Sequence, residues 1–169
     1  MQRSRSRLSI VVSAVSFALA LALAGGGTHP SAAEAAGLPD LKASAPESLV
    51  MPEGGQRSLI AAATNVGTGA AVCPTAQCEM LRVDVPAGFA ILRAQPSTGM
   101  TCTIVGNRVS CYKSKVAPAE TVAVKIELKA PSASGVWGLH TSADPTNRIF
   151  ESAEANNVAK TSMYVVSVV

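Results

Sequence analysis

The sequence predicts an all-β antiparallel sandwich, and three observations carry that prediction. Apolar residues recur at every second position in run after run, turn-forming residues punctuate those runs, and no segment after the first 36 residues keeps the period of an amphipathic helix. The clearest run is residues 121–130, "TVAVKIELKA". Val122, Val124, Ile126 and Leu128 share one side, and Lys125, Glu127 and Lys129 share the other. That is a strand with one buried and one wet face.

The chain opens with a targeting signature. Arg3, Arg5 and Arg7 form a basic n-region, residues 8–24 follow without a charge, and residues 25–37 are rich in Gly and Ala. Ala22-Leu23-Ala24 and Ala33-Glu34-Ala35 offer cleavage motifs. This is the layout of a secretory signal peptide. An apolar run of roughly 17 residues is the lower edge for a membrane-spanning helix, and its alanines dilute the hydrophobicity, so cleavage is expected rather than anchoring. Residues 1–36 are read as signal helix and small-residue linker, and residues 37–169 as one domain, long enough for an adequate core. No cysteine lies near the cleavage region, which argues against a lipid anchor, and no second apolar run approaches spanning length. The exported chain is expected to be soluble, in the medium, the periplasm or at the cell surface.

Charge follows the same division. Residues 1–36 hold three of the 14 basic and one of the 11 acidic side chains, so the remainder carries a net charge of +1. That remainder has no Lys/Arg cluster and no aromatic platform, and no nucleic-acid partner is expected.

Further strands follow in order. Residues 40–44, "DLKAS", form a short opening strand, and 57–65, "RSLIAAATN", a second that ends at the turn Asn65-Val66-Gly67. Ala61 to Ala63 suits a helix by propensity, but Gly55 and Gly67 leave too little room for one. In 79–85, "EMLRVDV", Leu81, Val83 and Val85 oppose Arg82 and Asp84. Residues 136–143 and 158–168 complete the set, and Pro52-Glu53-Gly54-Gly55, Pro86-Ala87-Gly88, Pro118-Ala119-Glu120, Pro131 and Asp144-Pro145 supply the turns.

Residues 101–111, "TCTIVGNRVSC", solve as a stapled hairpin. A two-residue turn at Gly106-Asn107 pairs Val105 with Arg108, Ile104 with Val109, Thr103 with Ser110 and Cys102 with Cys111, and glycine at the first central position suits a type II′ turn. Counting outward, the cysteines face each other at a non-hydrogen-bonded position, with Cα atoms about 4.5 Å apart and within disulfide reach. They lie on the side of Ile104 and Val109, with Met100 extending that inward row. Cys73 and Cys78 enclose only "PTAQ", and a local bond between them fits an oxidising compartment. Four cysteines allow three connectivities, so spacing alone leaves the pairing open. A four-thiolate zinc site would want two to four residues between ligands where this chain has four and eight, and the Cys-x-x-Cys of a redox pair is missing.

Three stretches resemble the CARDB family, the cell-adhesion-related domain of bacterial surface proteins: "GLPDLKAS" (37–44), "LIAAATNVGTGAA" (59–71) and "ADPTNRIFESAEANNVAKTSMYV" (143–165). That family opens on an Asp-Leu strand, turns at Asn-x-Gly after its second strand, and runs Asp-Pro…Glu…Asn-Asn before its last. The middle section, from "VDVPAGFAIL" (83–92) to "VKIELKAP" (124–131), resembles a related repeat domain of bacterial envelope proteins. The chain departs from the pattern in carrying one copy, with no partner domain. The resemblance implies an immunoglobulin-like antiparallel β-sandwich of about 7–9 strands and an interaction or structural role, with no defined ligand.

Catalytic chemistry is not expected. No Gly-x-Ser-x-Gly elbow, His-Glu-x-x-His helix or phosphate-cradling loop is present, and the acidic residues show no acid–base spacing. His140 falls on the outward side of its strand, and His29 remains only if cleavage is early. Asp144, Asn147, Glu151 and Glu154, with Asn156 and Asn157, offer oxygen ligands that calcium accepts. They lack the regular spacing of a dedicated loop, and the competing reading is turn and strand capping, with Ile149 and Phe150 tucked against the sandwich. Trp137 shares the side of Leu139 and Ala143 and is expected to fill core rather than join Tyr112 in an exposed patch. No cofactor is expected. The expected function is a secreted, non-enzymatic module that binds a protein or polysaccharide at the bacterial envelope. The alternatives are an envelope structural or accessory module, a secreted protein inhibitor, and a small secreted hydrolase.

Overall fold

The computed structural model describes residues 37–167, and the signal helix read over residues 1–36 lies outside them. Twelve strands run β1 (Leu41–Ser44), β2 (Ser48–Pro52), β3 (Gln56–Asn65), β4 (Ala71–Val72), β5 (Cys78–Asp84), β6 (Ala90–Pro96), β7 (Thr101–Val105), β8 (Arg108–Lys113), β9 (Lys115–Val116), β10 (Thr121–Lys129), β11 (Gly135–Ala143) and β12 (Val158–Val166). They form a four-stranded sheet in the order β1-β3-β10-β6, a six-stranded sheet in the order β2-β12-β11-β5-β8-β7, and the small pair β4-β9.

This order defines an immunoglobulin-like sandwich. β1, β3, β10 and β6 occupy the A, B, E and D positions of one sheet, and β12, β11 and β5 the G, F and C positions of the other. The opening segment changes sheet after Ser44, and β2 then pairs in parallel with β12. The β7–β8 hairpin departs from the usual variable-type order. It follows the D-position strand β6 in sequence, yet it widens the six-stranded sheet beside β5.

The core lies between the sheets and follows the alternation. Leu41, Leu59, Ala61, Ala63, Val122, Val124, Ile126 and Leu128 enter from one side, and Met51, Leu81, Val83, Val109, Cys111, Leu139, Met163 and Val165 from the other. The run at 121–130 is buried at Val122, Val124, Ile126 and Leu128, as its pattern predicts.

Four strands, β2, β4, β6 and β9, go beyond the sequence reading and raise the count above nine. β4 and β9 have two residues each, too few for periodicity to register. β6 is an edge strand with no fully buried residue, so its pattern never alternates cleanly. β2 ends at Pro52, a residue that reads as a turn.

Asn65 locks the β3 turn. Its side chain is fully buried; Nδ2 donates to Gly69 O (2.8 Å) and Val116 O (3.0 Å), while Oδ1 accepts from Asp40 N and Gly67 N (both 3.1 Å). The turn glycines are required by close approach. A Cβ on Gly67 would lie 2.4 Å from Leu38 O, and one on Gly69 1.7 Å from Gly37 O. The Asn-x-Gly-x-Gly stretch therefore ties the entry to β1, the end of β3 and the end of β9 into one joint.

Candidate interaction surface

The hairpin forms in the register read from the sequence: Cys102 opposes Cys111, Thr103 opposes Ser110, Ile104 opposes Val109 and Val105 opposes Arg108. Gly106 sits at φ +57°, whereas Asn107 has no positive φ, the combination a type II′ turn requires. Disulfides join Cys102 to Cys111, with Cα atoms 4.0 Å apart, and Cys73 to Cys78. Cys111 and Met100 face inward with Val109, while Ile104, on the edge strand, is 44% exposed.

With its cysteines turned to the core, the hairpin presents its other side to solvent. Asp84, Arg108 and Val105 stand in one row across β5, β8 and β7; Arg82, Ser110 and Thr103 stand in the next. A register shift between Glu79 and Leu81 brings Glu79 opposite Tyr112 on this same outer face, although strict alternation would not place it there. Arg82 Nε donates to Glu79 Oε1 at 2.9 Å and its terminal nitrogen pairs with Oε2; Arg108 Nε donates to Asp84 Oδ1 at 2.6 Å. The bond to Glu79 raises the Arg82 guanidinium further above its ordinary value. These residues line an open groove of about 520 Å³.

The same face continues over β11 and β12. Val136, Tyr164 and Val50 pair across β11, β12 and β2 and form a row exposed by 66%, 40% and 54%. His140 is exposed between Lys160 and Asp84 on the next row but one. Trp137 turns inward as its parity predicts, but it stays half-buried at the sheet rim, its ring edge-on to Phe89 with centroids 5.5 Å apart. No Trp137–Tyr112 patch exists.

The oxygen-rich segment forms an interlocked cap. Asp144 Oδ2 accepts from Ile149 N (2.7 Å) and Asp144 O from Asn147 N (2.9 Å), with Asp144 and Asn147 both at positive φ. Buried Glu151 accepts the Leu41 amide at the start of β1. Asn157 Nδ2 reaches both Glu154 Oε2 (2.9 Å) and Glu151 Oε1 (3.3 Å), and Asn156 Nδ2 donates to Asp40 Oδ1 (2.7 Å). The segment thus holds the opening strand against the start of β12. Three buried oxygens of this segment, Asp144 Oδ1, Asn156 Oδ1 and Asn157 Oδ1, have no donor. No group of three or more His, Cys, Asp or Glu side chains among the described residues is arranged to hold a metal ion. Ile149 is buried as expected, but Phe150 is not: it is 79% exposed, because burial of both Ile149 and Glu151 turns the residue between them outward.

Burial, with Glu154 and Asp144 close by, pushes the Glu151 carboxyl up from 4.5 to about 7, against the opposing bond from Leu41. The folded protein therefore holds this proton more tightly than the unfolded chain. The resulting stabilisation is fully present below about pH 4.5 and lost as pH rises through about 7. Melting temperatures taken across that window should fall with rising pH, and Glu151→Gln, which keeps an acceptor for Leu41, should flatten that fall. An equal slope in the variant would assign it to other groups.

No family model matches the chain, and no curated protein matches it. Solved structures similar to it include the CARDB domain of the PF1109 protein from Pyrococcus furiosus, crystallised in complex with di-metal ions. That structure is 18% identical, has a TM-score of 0.47, and the match covers 76% of this chain and 90% of that one. The solution structure of the same domain gives 18% identity and a TM-score of 0.46 over 76% and 96%. The PapD-like domain 7 of human CEP192 is 12% identical, with a TM-score of 0.33 over 75% and 85%. The first two carry the family name that the sequence motifs resemble.

Proposed function

We propose that this protein is a secreted, non-enzymatic interaction module of the bacterial cell envelope, and that it binds a protein or polysaccharide through the outer face of its six-stranded sheet. One observation carries the choice of face. The hairpin added beside β5 is stapled from within and widens this sheet alone, and its outward side chains build the groove. A rigid scaffold that presents a fixed array of polar groups lowers the ordering cost of binding. Two disulfides fit an oxidising, exported location. The accessory or inhibitor reading draws on a different feature, the free edge of β7, where Val105 is 74% exposed and the strand's outer backbone groups are open to an added strand.

Envelope fractions passed over the immobilised protein test the reading. Cell-wall polymer or an envelope protein should be retained above a control column. Retention should drop when Arg108 and Tyr112 are both replaced by Ala. Retention of nothing above control would remove the adhesion reading, and retention unaffected by the double variant would move the site to another face.

A further inference from the structure

The groove on β5, β8 and β7 has a charge balance that selects its occupant. Its ionised lining groups are two guanidiniums, Arg82 and Arg108, and two carboxylates, Glu79 and Asp84, and each guanidinium is paired with a carboxylate inside the groove. An anionic ligand would find no unpaired cation there, and a cationic ligand no unpaired carboxylate. Pairing leaves hydrogen-bonding capacity unused. Arg108 spends only Nε on Asp84, so its two terminal nitrogens keep their N–H groups, and the carboxylates keep lone pairs. Ser110 and Thr103 add hydroxyls on the row between, and Tyr112 adds an aromatic wall beside Glu79.

Donors, acceptors and hydroxyls therefore alternate along sheet rows about 7 Å apart, the spacing of every second residue on a strand. The ion pairs and the disulfide fix them in place. From this we infer that the groove binds a neutral oligosaccharide, its ring hydroxyls exchanging hydrogen bonds with the paired Arg and acidic side chains and its C–H face lying on Tyr112. The volume, about 520 Å³, falls within the range of small-ligand sites, and the open shape admits a chain passing through. A charged peptide suits the site less well, because its ionised side chains would meet no unpaired counter-charge among the lining groups.

This inference rests on the interaction reading above and names the ligand class for the same face. Purified protein is titrated calorimetrically with neutral mannan, glucan and galactan oligosaccharides, with oligogalacturonate as the acidic comparison. At least one neutral oligosaccharide should bind, and Tyr112→Ser and Arg108→Gln should each weaken binding about tenfold or more, the loss of one charge-assisted bond or one stacking face. Ile60→Ser, on the outer face of the four-stranded sheet and away from the groove, should leave affinity unchanged. Arg108 is half exposed, so its removal strands no buried charge, and unchanged unreduced peptide maps report an intact hairpin in each variant. Arg108→Lys supplies a second variant, which keeps charge but not the planar donor set, and should also weaken binding. Preferential binding of the acidic oligomer would overturn the inference. So would no oligosaccharide binding by a protein that still retains an envelope protein, which leaves the interaction reading standing. No retention of any envelope component would overturn both.

Discussion

Replacing Asn65 with Ala is expected to cost on the order of 4 kcal/mol, enough to unfold a marginal domain at moderate temperature. The side chain makes four hydrogen bonds, two given to the carbonyls of Gly69 and Val116 and two received from the amides of Asp40 and Gly67. Each is worth about 1 kcal/mol net, and the truncation leaves backbone groups without partners in a buried site. Asn65→Asp should also be damaging, because a carboxylate can receive the two amides but cannot give to the two carbonyls. Chemical denaturation of the two variants measures this. A loss below about 1 kcal/mol for the Ala variant would mean that water or relaxation replaces the network.

Replacing Cys102 and Cys111 together with Ala should lower stability by about 2.5–3 kcal/mol, the loop-closure term for a bond spanning 9 residues. Cys111 is fully buried, so the loss of its sulfur adds a small packing penalty. The Cys73–Cys78 bond closes a shorter loop, with a separation of 5, and its removal should cost less. Denaturation with and without reductant separates these contributions. Peptide mapping without reduction should recover two local cross-links and no free thiol. Free thiols with stoichiometric zinc would contradict both bonds.

Legibility of this fold in its sequence tracked how local each feature is. The hairpin was readable to the residue because Gly106-Asn107 and the alternation on either side fix register without reference to anything distant. The run at 121–130 was readable because both its neighbours in the sheet leave one face wet. What the hairpin lies against was not readable. β8 pairs with β5 across some thirty residues, and no local pattern encodes that choice. The groove stayed hidden for the same reason, since Glu79 reaches it only through the irregularity between Glu79 and Leu81. Phe150 was misplaced because hydrophobicity alone suggested burial, whereas buried Glu151 held the neighbouring inward position by capping β1. The Asn65-Val66-Gly67 turn was legible as a turn, but its role as a four-bond joint depends on Val116 and Asp40, both distant in sequence.

The proposed interaction face is tested most directly by amide chemical-shift mapping of the protein titrated with an envelope component recovered in the retention assay. Perturbations should cluster on Cys78–Asp84 and Thr101–Lys113, with smaller ones spreading onto the outward positions of β11 and β12. Perturbations centred instead on Lys42, Ile60, Lys125 and Glu127, the outer face of the four-stranded sheet, would contradict the account.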